Sequence, residues 1–227
     1  WTDDASSWPL TYTFVHNSRT DGSGAATAVR TGTMRRSNIT TSALPLGKAS
    51  DGSFALNVGV VVSDVWGLEN SRQQVITVAA PASLEAATVL ASNLTGSIER
   101  MLDLADDESV NAALSFMQSG ASMIGYVLNS TAKDAQVPSE ASAARSSYLA
   151  LLEKALTEAD EYVDANAEAV EAVALTLSLL TAPRPETMTR AERHGVVLNV
   201  GRLVNATEVL GGTSETMAGH TVDTLSS

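Results

Sequence analysis

Three histidines, His16, His194 and His220, are the first residues to test for chemistry, because imidazole is the commonest general base and metal ligand. They lie in three separate segments, and no two have the spacing that would put them on one turn of a helix, as a zinc-protease motif needs. Nucleophilic hydrolysis fares no better. The nearest approach to a Gly-x-Ser-x-Gly elbow is "GASMIG", which has the wrong spacing and falls inside a helical pattern. "DGSGAATA" is glycine-rich but lacks the Lys of a phosphate loop and the third Gly of a dinucleotide fingerprint, so it reads as a strand connection. Paired carboxylates occur at Asp3–Asp4 and in "DLADDES". The second set is a helix N-terminus that uses anions against the dipole. Asp3 and Asp4, joined by Asp64 from a neighbouring turn, are the candidate Ca²⁺ ligands, against the simpler reading of a solvated turn. No catalytic signature emerges, and the chain reads as a non-enzyme that needs no cofactor.

One modification signal can be counted. Asn-x-Ser/Thr occurs at Asn38, Asn93, Asn129 and Asn205. Ten Asn in a chain that is about one-fifth Ser plus Thr would give roughly two such sequons by chance. Four is a mild excess that favours secretion and glycosylation. Asn129 falls in a loop pattern, and Asn93 lies off the apolar stripe of its helix. Exposed aromatic faces are few. Of Trp1, Trp8 and Trp66, only Trp66 sits at a turn tip, where it could stack on a ligand or fold back over the end of a sheet.

Composition narrows the partners. With 14 basic against 26 acidic residues, the net charge is −12, which argues against nucleic acid or an anionic membrane. Hydrophobic content is 44% with only 4% aromatics, so the core must be built on Ala and Leu. There is no Cys, so no disulfide staples the fold. The longest apolar runs, "ALNVGVVV" and "AVALTLSLL", fall well short of the roughly 20 residues that span a bilayer.

Two hydrophobic periods divide the chain. Residues 1 to 80 alternate on a period of two, with strands expected at Pro9–Phe14, Ala28–Arg35, Ile39–Leu44, Phe54–Ser63 and Gln73–Val78. "SDVWGLENS" is the turn between the last two. From Pro81 the period becomes helical. Leu84, Ala87, Ala91, Leu94, Ile98 and Met101 form one stripe, with Ser83 as its cap. Val110, Leu114, Met117, Ile124 and Leu128 form a second, weakened by Gly120 and Gly125. A third helix follows Pro138 through Tyr148, Leu152, Ala155 and Ala159. A fourth covers "NAEAVEAVALTLSLLT" up to the stop "APRP", and a fifth follows a Thr189 cap. The fold class is therefore α+β, a β-sandwich of the fibronectin or immunoglobulin type followed by a helical bundle.

These pieces look like a known family. "WTDDASSWPLTYTF" resembles the Trp-x-Asp…Pro-Leu-x-Tyr-x-Phe signature of the REJ (receptor for egg jelly) module of polycystin-like ectodomains, and "VVVSDVWGLENSRQQVITV" is similar to the strand–turn–strand that closes its sandwich. "VNAALSFMQSGASMIGYVLN" resembles the helical run that follows in REJ regions. "AVALTLSLLTAPRPETMTRAERHGVVLNVGRLV" looks like the helical subdomain of a GAIN domain. The resemblance implies a REJ sandwich over 1–80 whose first strands are missing, helical REJ region over 81–135, and a GAIN-like subdomain over 136–227. It implies an extracellular or cell-surface glycoprotein, ciliary or flagellar in setting, that adheres or assembles through other extracellular proteins or further domains of its own chain. The GAIN self-cleavage site is absent, so no proteolytic residue carries over. A lectin-like module binding carbohydrate or Ca²⁺ is the competing reading.

Overall fold

The computed structural model describes residues 10–17, 27–32, 46, 48–50, 53–132, 135–158, 163 and 166–209. The chain divides into two compact units, Trp1–Ala80 and Pro81–Ser227, and the class is α+β.

The first unit is an antiparallel sheet of β1 (Thr11–Asn17), β2 (Thr27–Gly32), β3 (Lys48–Ser50), β4 (Ser53–Ser63) and β5 (Glu69–Ala79). β4 organises it. Along one edge, Asn57–Ser63 pairs with β1 and Ser53–Ala55 pairs with β3. Along the other, the full length of β4 pairs with β5, while β2 adds to the far side of β1. Directly opposed residues share a face, so Phe54 with Val78 and Leu56 with Ile76 form an apolar cross-strand cluster, in which Phe54 and Leu56 are buried. On the opposite face Val15 is buried beside Gly59, where a Cβ would stand 3.4 Å from the Val15 Cγ2 and 2.9 Å from the Arg72 carbonyl oxygen. Among the described residues there is one sheet, so the expected second layer of a sandwich is not seen. The expected strand at Ile39–Leu44 lies outside the described residues. The strand expected at Ala28–Arg35 is seen as β2, Thr27–Gly32, and residues 33–35 lie outside the described residues. β3 was not expected, because three residues carry no readable alternation.

The second unit holds α1 (Leu84–Leu104), α2 (Asp107–Ser130), α3 (Ser139–Glu158), α4 (Ala167–Thr181) and α5 (Arg190–Val209). The starts of α1, α2 and α5 follow from local chemistry. The Ser83 hydroxyl accepts from the Ala86 N–H, and the Asp106 carboxylate accepts from the Ser109 N–H, so both caps act as the sequence implies. A single turn of 3₁₀ helix, Pro185–Thr187, begins at the last residue of the "APRP" stop. Before α5, Thr189 and Glu192 form a capping box: the Thr189 hydroxyl accepts from the Glu192 N–H, and the Glu192 carboxylate accepts from the Thr189 N–H.

α3 touches each of the other four helices, and its buried set extends beyond the expected stripe to Arg145, Leu149, Leu151 and Leu156. Gly120 and Gly125 correct the reading of α2. They are close-approach points rather than weak spots. A Cβ on Gly120 would lie 1.8 Å from the Tyr148 hydroxyl oxygen, and one on Gly125 would lie 3.1 Å from the Leu179 carbonyl oxygen. The bundle uses the missing side chains to bring α3 and α4 against α2.

Candidate interaction surface

The β4–β5 hairpin carries the most distinctive surface in the sheet unit. Asp64 builds its turn. One carboxylate oxygen, Oδ1, accepts from the backbone N–H groups of Trp66 and Leu68, both at 2.9 Å. The Asp64 N–H donates to the Leu68 carbonyl, and the Gly67 N–H donates to the Asp64 carbonyl. Gly67 has φ +77°, the left-handed region that glycine enters without a Cβ penalty. A buried Asp therefore holds the loop from beneath, and the loop turns its apolar side chains outward. Val65, Trp66 and Leu68 are 48%, 73% and 66% exposed. The Trp66 indole does not fold back over the sheet.

Behind this tip runs a free edge. β5 pairs with β4 alone among the described strands, and Glu69 to Val75 are all exposed. Antiparallel pairing alternates between residues that bond the neighbour and residues that face away. The turn closes on the Asp64–Leu68 bond and the register runs without a shift, so the backbone groups of Glu69, Ser71, Gln73 and Val75 face away from β4.

Ionisable groups inside the helical unit are engaged in structure. Arg145 is fully buried, with Nε 3.1 Å from Glu192 Oε1 and Nη2 3.2 Å from the Thr187 carbonyl. The Ser146 hydroxyl donates to the same Glu192 oxygen at 2.9 Å. Burial pushes the Glu192 carboxyl up. The Thr189 N–H, the Arg145 guanidinium and the Ser146 hydroxyl outweigh that and hold it below the ordinary carboxylate value. Tyr148 crosses Gly120 and donates its hydroxyl to the Ala91 carbonyl at 2.8 Å, and burial pushes its phenol well above the usual range. Both groups are held in bonds between helices. Sequence reasoning missed the Arg145–Glu192 pair. The Thr189-x-x-Glu192 capping spacing was the one local signal for it.

A shallow cavity of about 440 Å³ lies where α3 starts, lined by Val137, Ser142, Arg184 and Thr187 among others. Arg184 spans it with bonds to the carbonyls of Ala132 and Ala135 and to Glu186. In the α2 interior, both amide atoms of Gln118 and the Ser115 hydroxyl are buried without a hydrogen-bond partner among the described residues.

The sequence-selected residues fall as follows. Asn93, on α1, Asn129, at the end of α2, and Asn205, on α5, are all exposed, and Asn38 lies outside the described residues. His194 is exposed on α5. The His16 side chain and His220 lie outside the described residues, as do Asp3 and Asp4, the two Ca²⁺ candidates expected beside Asp64. No group of three or more His, Cys, Asp or Glu side chains among the described residues is arranged to hold a metal ion. No described helix is long and apolar enough to cross a membrane.

The REJ domain family model matches residues 1–118. The chain belongs to the REJ domain family. The match spans the whole sheet unit and α1 and reaches Gln118 within α2. REJ domains are found in polycystin-like extracellular proteins and are not a known enzyme family. No curated protein matches the REJ chain, and no solved structure does.

Proposed function

We propose that this REJ chain is a non-catalytic structural or adhesion module of a large cell-surface protein, ciliary or flagellar in setting, that works through protein–protein contacts with other extracellular proteins or further domains of its own chain. The carrying observation is the Asp64-held turn, which presents Val65, Trp66 and Leu68 to solvent from a fixed loop. A preset aromatic anchor loses little freedom when it enters a partner's pocket. The free edge of β5 beside it can add main-chain bonds to an extended partner segment. We read the sheet as one layer of a fibronectin-like sandwich. Its Phe54–Leu56 face is the one a second layer would cover. We assign residues 81–135 to the helical REJ region and 136–227 to a GAIN-like helical subdomain, supported by the resemblance of Ala172–Val204. We also read Asn38, Asn93, Asn129 and Asn205 as N-glycosylation sites, supported by the exposure of the last three. The second reading, a lectin-like module, rests on the same exposed indole, since sugar faces stack on Trp.

One binding experiment separates these readings. Soluble glycosylated chain is applied to cells of the organism that makes it, with Trp66→Ala alongside. The expected result is saturable binding that falls at least tenfold in the variant, with an unchanged unfolding midpoint, and that disappears when the cells are treated with protease. Loss on glycosidase treatment of the cells would favour the lectin reading. Absence of saturable binding, or equal binding by Trp66→Ala, would overturn the assignment of this surface.

A further inference from the structure

Seven large apolar side chains of the helical unit are exposed among the described residues. Six of them gather around two of the sequons. Val89 and Leu90, each about half exposed, lie four and three residues before Asn93 on α1, which places them one turn away on the same outward strip. On α5, Val209 lies one turn after Asn205, Val204 lies beside it, and Val197 and Leu198 lie two turns before it; all four are exposed.

A second feature recurs at both places. Gly96 stands three residues after Asn93 and Gly201 four residues before Asn205, each exposed within a helix, and a Cβ on either would meet nothing within 4 Å. Gly195, one turn before Leu198, is equally open. A helix-interior glycine costs about 1 kcal/mol relative to Ala. At Gly120 and Gly125 close packing explains that cost. At Gly96 and Gly201 no atom of the described residues does, and the sites leave smooth, open ground beside the Asn side chain. Asn129 has neither feature, since no exposed large apolar residue and no open glycine lies within a turn of it among the described residues.

We propose that N-linked oligosaccharides on Asn93 and Asn205 lie over these two apolar strips and keep them from self-association. The inference rests on the reading of this chain as an extracellular glycoprotein. The chemistry requires a lipid-diphosphate-linked oligosaccharide donor. The Asn side-chain nitrogen forms the bond to the anomeric carbon of the first N-acetylglucosamine, the carbon–oxygen bond to the lipid diphosphate breaks, and the amide loses one proton. Transfer precedes folding, because the Thr207 hydroxyl of the second sequon is buried and donates to the Val204 carbonyl in the finished helix. An apolar sugar face over Val89–Leu90 and over Val197–Leu198 then does what a packed helix would otherwise do.

The test uses the full chain secreted from a eukaryotic cell. Intact mass is measured first, site by site, with Asn93→Gln, Asn129→Gln and Asn205→Gln. Folded protein is then treated with a glycosidase under native conditions, and apolar-dye fluorescence and light scattering are followed at constant helical ellipticity. Sugar at Asn93 and Asn205, with a severalfold rise in dye binding and association on its removal, is the expected result. Asn129→Gln alone should change neither signal, and Val89→Ser with Val197→Ser should suppress the rise. Unmodified Asn93 and Asn205 would overturn this inference, and a chain without sugar at any of its four sequons would overturn the glycoprotein reading as well. Occupied sites whose sugar can be removed with no rise in either signal would overturn the shielding role alone.

Discussion

Arg145 and Glu192 form the pair on which residue-scale predictions turn. Both are buried, and Glu192 also caps α5 through the Thr189 N–H, so one carboxylate closes a helix end and neutralises a buried guanidinium. Arg145→Ala leaves that carboxylate inside without its counter-charge, and the expected cost is about 3–5 kcal/mol, read from the urea midpoint. The pair also sets an acid limit. Glu192 is held below the ordinary carboxylate value, so just beneath that value the unfolded chain binds more protons than the folded one. Its contribution is full above the ordinary carboxylate pKa of about 4.3 and is lost as pH falls through the lower folded value. The stability gap between the natural chain and Glu192→Gln should therefore be wide at neutral pH and shrink as pH falls below the ordinary carboxylate value, and a gap independent of pH would refute the coupling. Little of this pair was legible in the sequence. Thr189-x-x-Glu192 announces a cap, but the two charges stand 47 positions apart, and no local period joins α3 to α5.

At the scale of elements, the caps and one stripe each of α1 and α2 follow from spacing alone, but α2 packs against α1, α3 and α4 and buries Ser115, Gln118 and Ser119 off that stripe. α3 buries residues toward four neighbours, so its pattern smears, and only Tyr148, Leu152 and Ala155 stood out. Gly120 was misjudged for the same reason. Helix propensity counts the lost side chain, while the Tyr148 ring that fills the space comes from another helix. Gly120→Ala is thus expected to cost at least about 1–3 kcal/mol by overpacking, and to cost markedly less when Tyr148→Leu is already present; additive effects in a double-mutant cycle would sink the contact. In the sheet unit, Asp64 and Gly67 revealed a turn but not which way its indole points. The ladder makes a sharper prediction there. Amide hydrogens of Asn70, Arg72 and Gln74 should exchange slowly and those of Glu69, Ser71 and Gln73 quickly, and Asp64→Ala should erase the contrast nearest the tip. Uniform protection along β5 would show that its outer edge is paired.

Over the whole molecule, charge is partitioned between the two units. Residues 1–80 hold six acidic and six basic side chains, and residues 81–227 hold 20 acidic and eight basic, so the entire −12 belongs to the helical unit. Within that unit several acids share one end. Lys154, near the end of α3, bonds Asp103, near the end of α1, which puts Glu158 at the same end as Asp103, Asp106 and Asp107. Repulsion among exposed like charges opposes the compact state and is screened over about 10 Å at 0.1 M salt. The sheet unit, neutral by count, has no such net term. The residues also supply separate reporters, because Trp1, Trp8 and Trp66 all belong to residues 1–80 while helical ellipticity comes from residues 81–227. Raising NaCl from about 20 to about 300 mM should therefore lift the thermal midpoint seen by ellipticity at 222 nm by a few degrees and leave the midpoint seen by Trp fluorescence nearly unmoved. Equal shifts of both midpoints would mean that the two units melt as one cooperative body, and an unmoved ellipticity midpoint would mean that the acidic end is already neutralised by its own ion pairs. Either outcome would break the link drawn between the uneven charge and the stability of the helices.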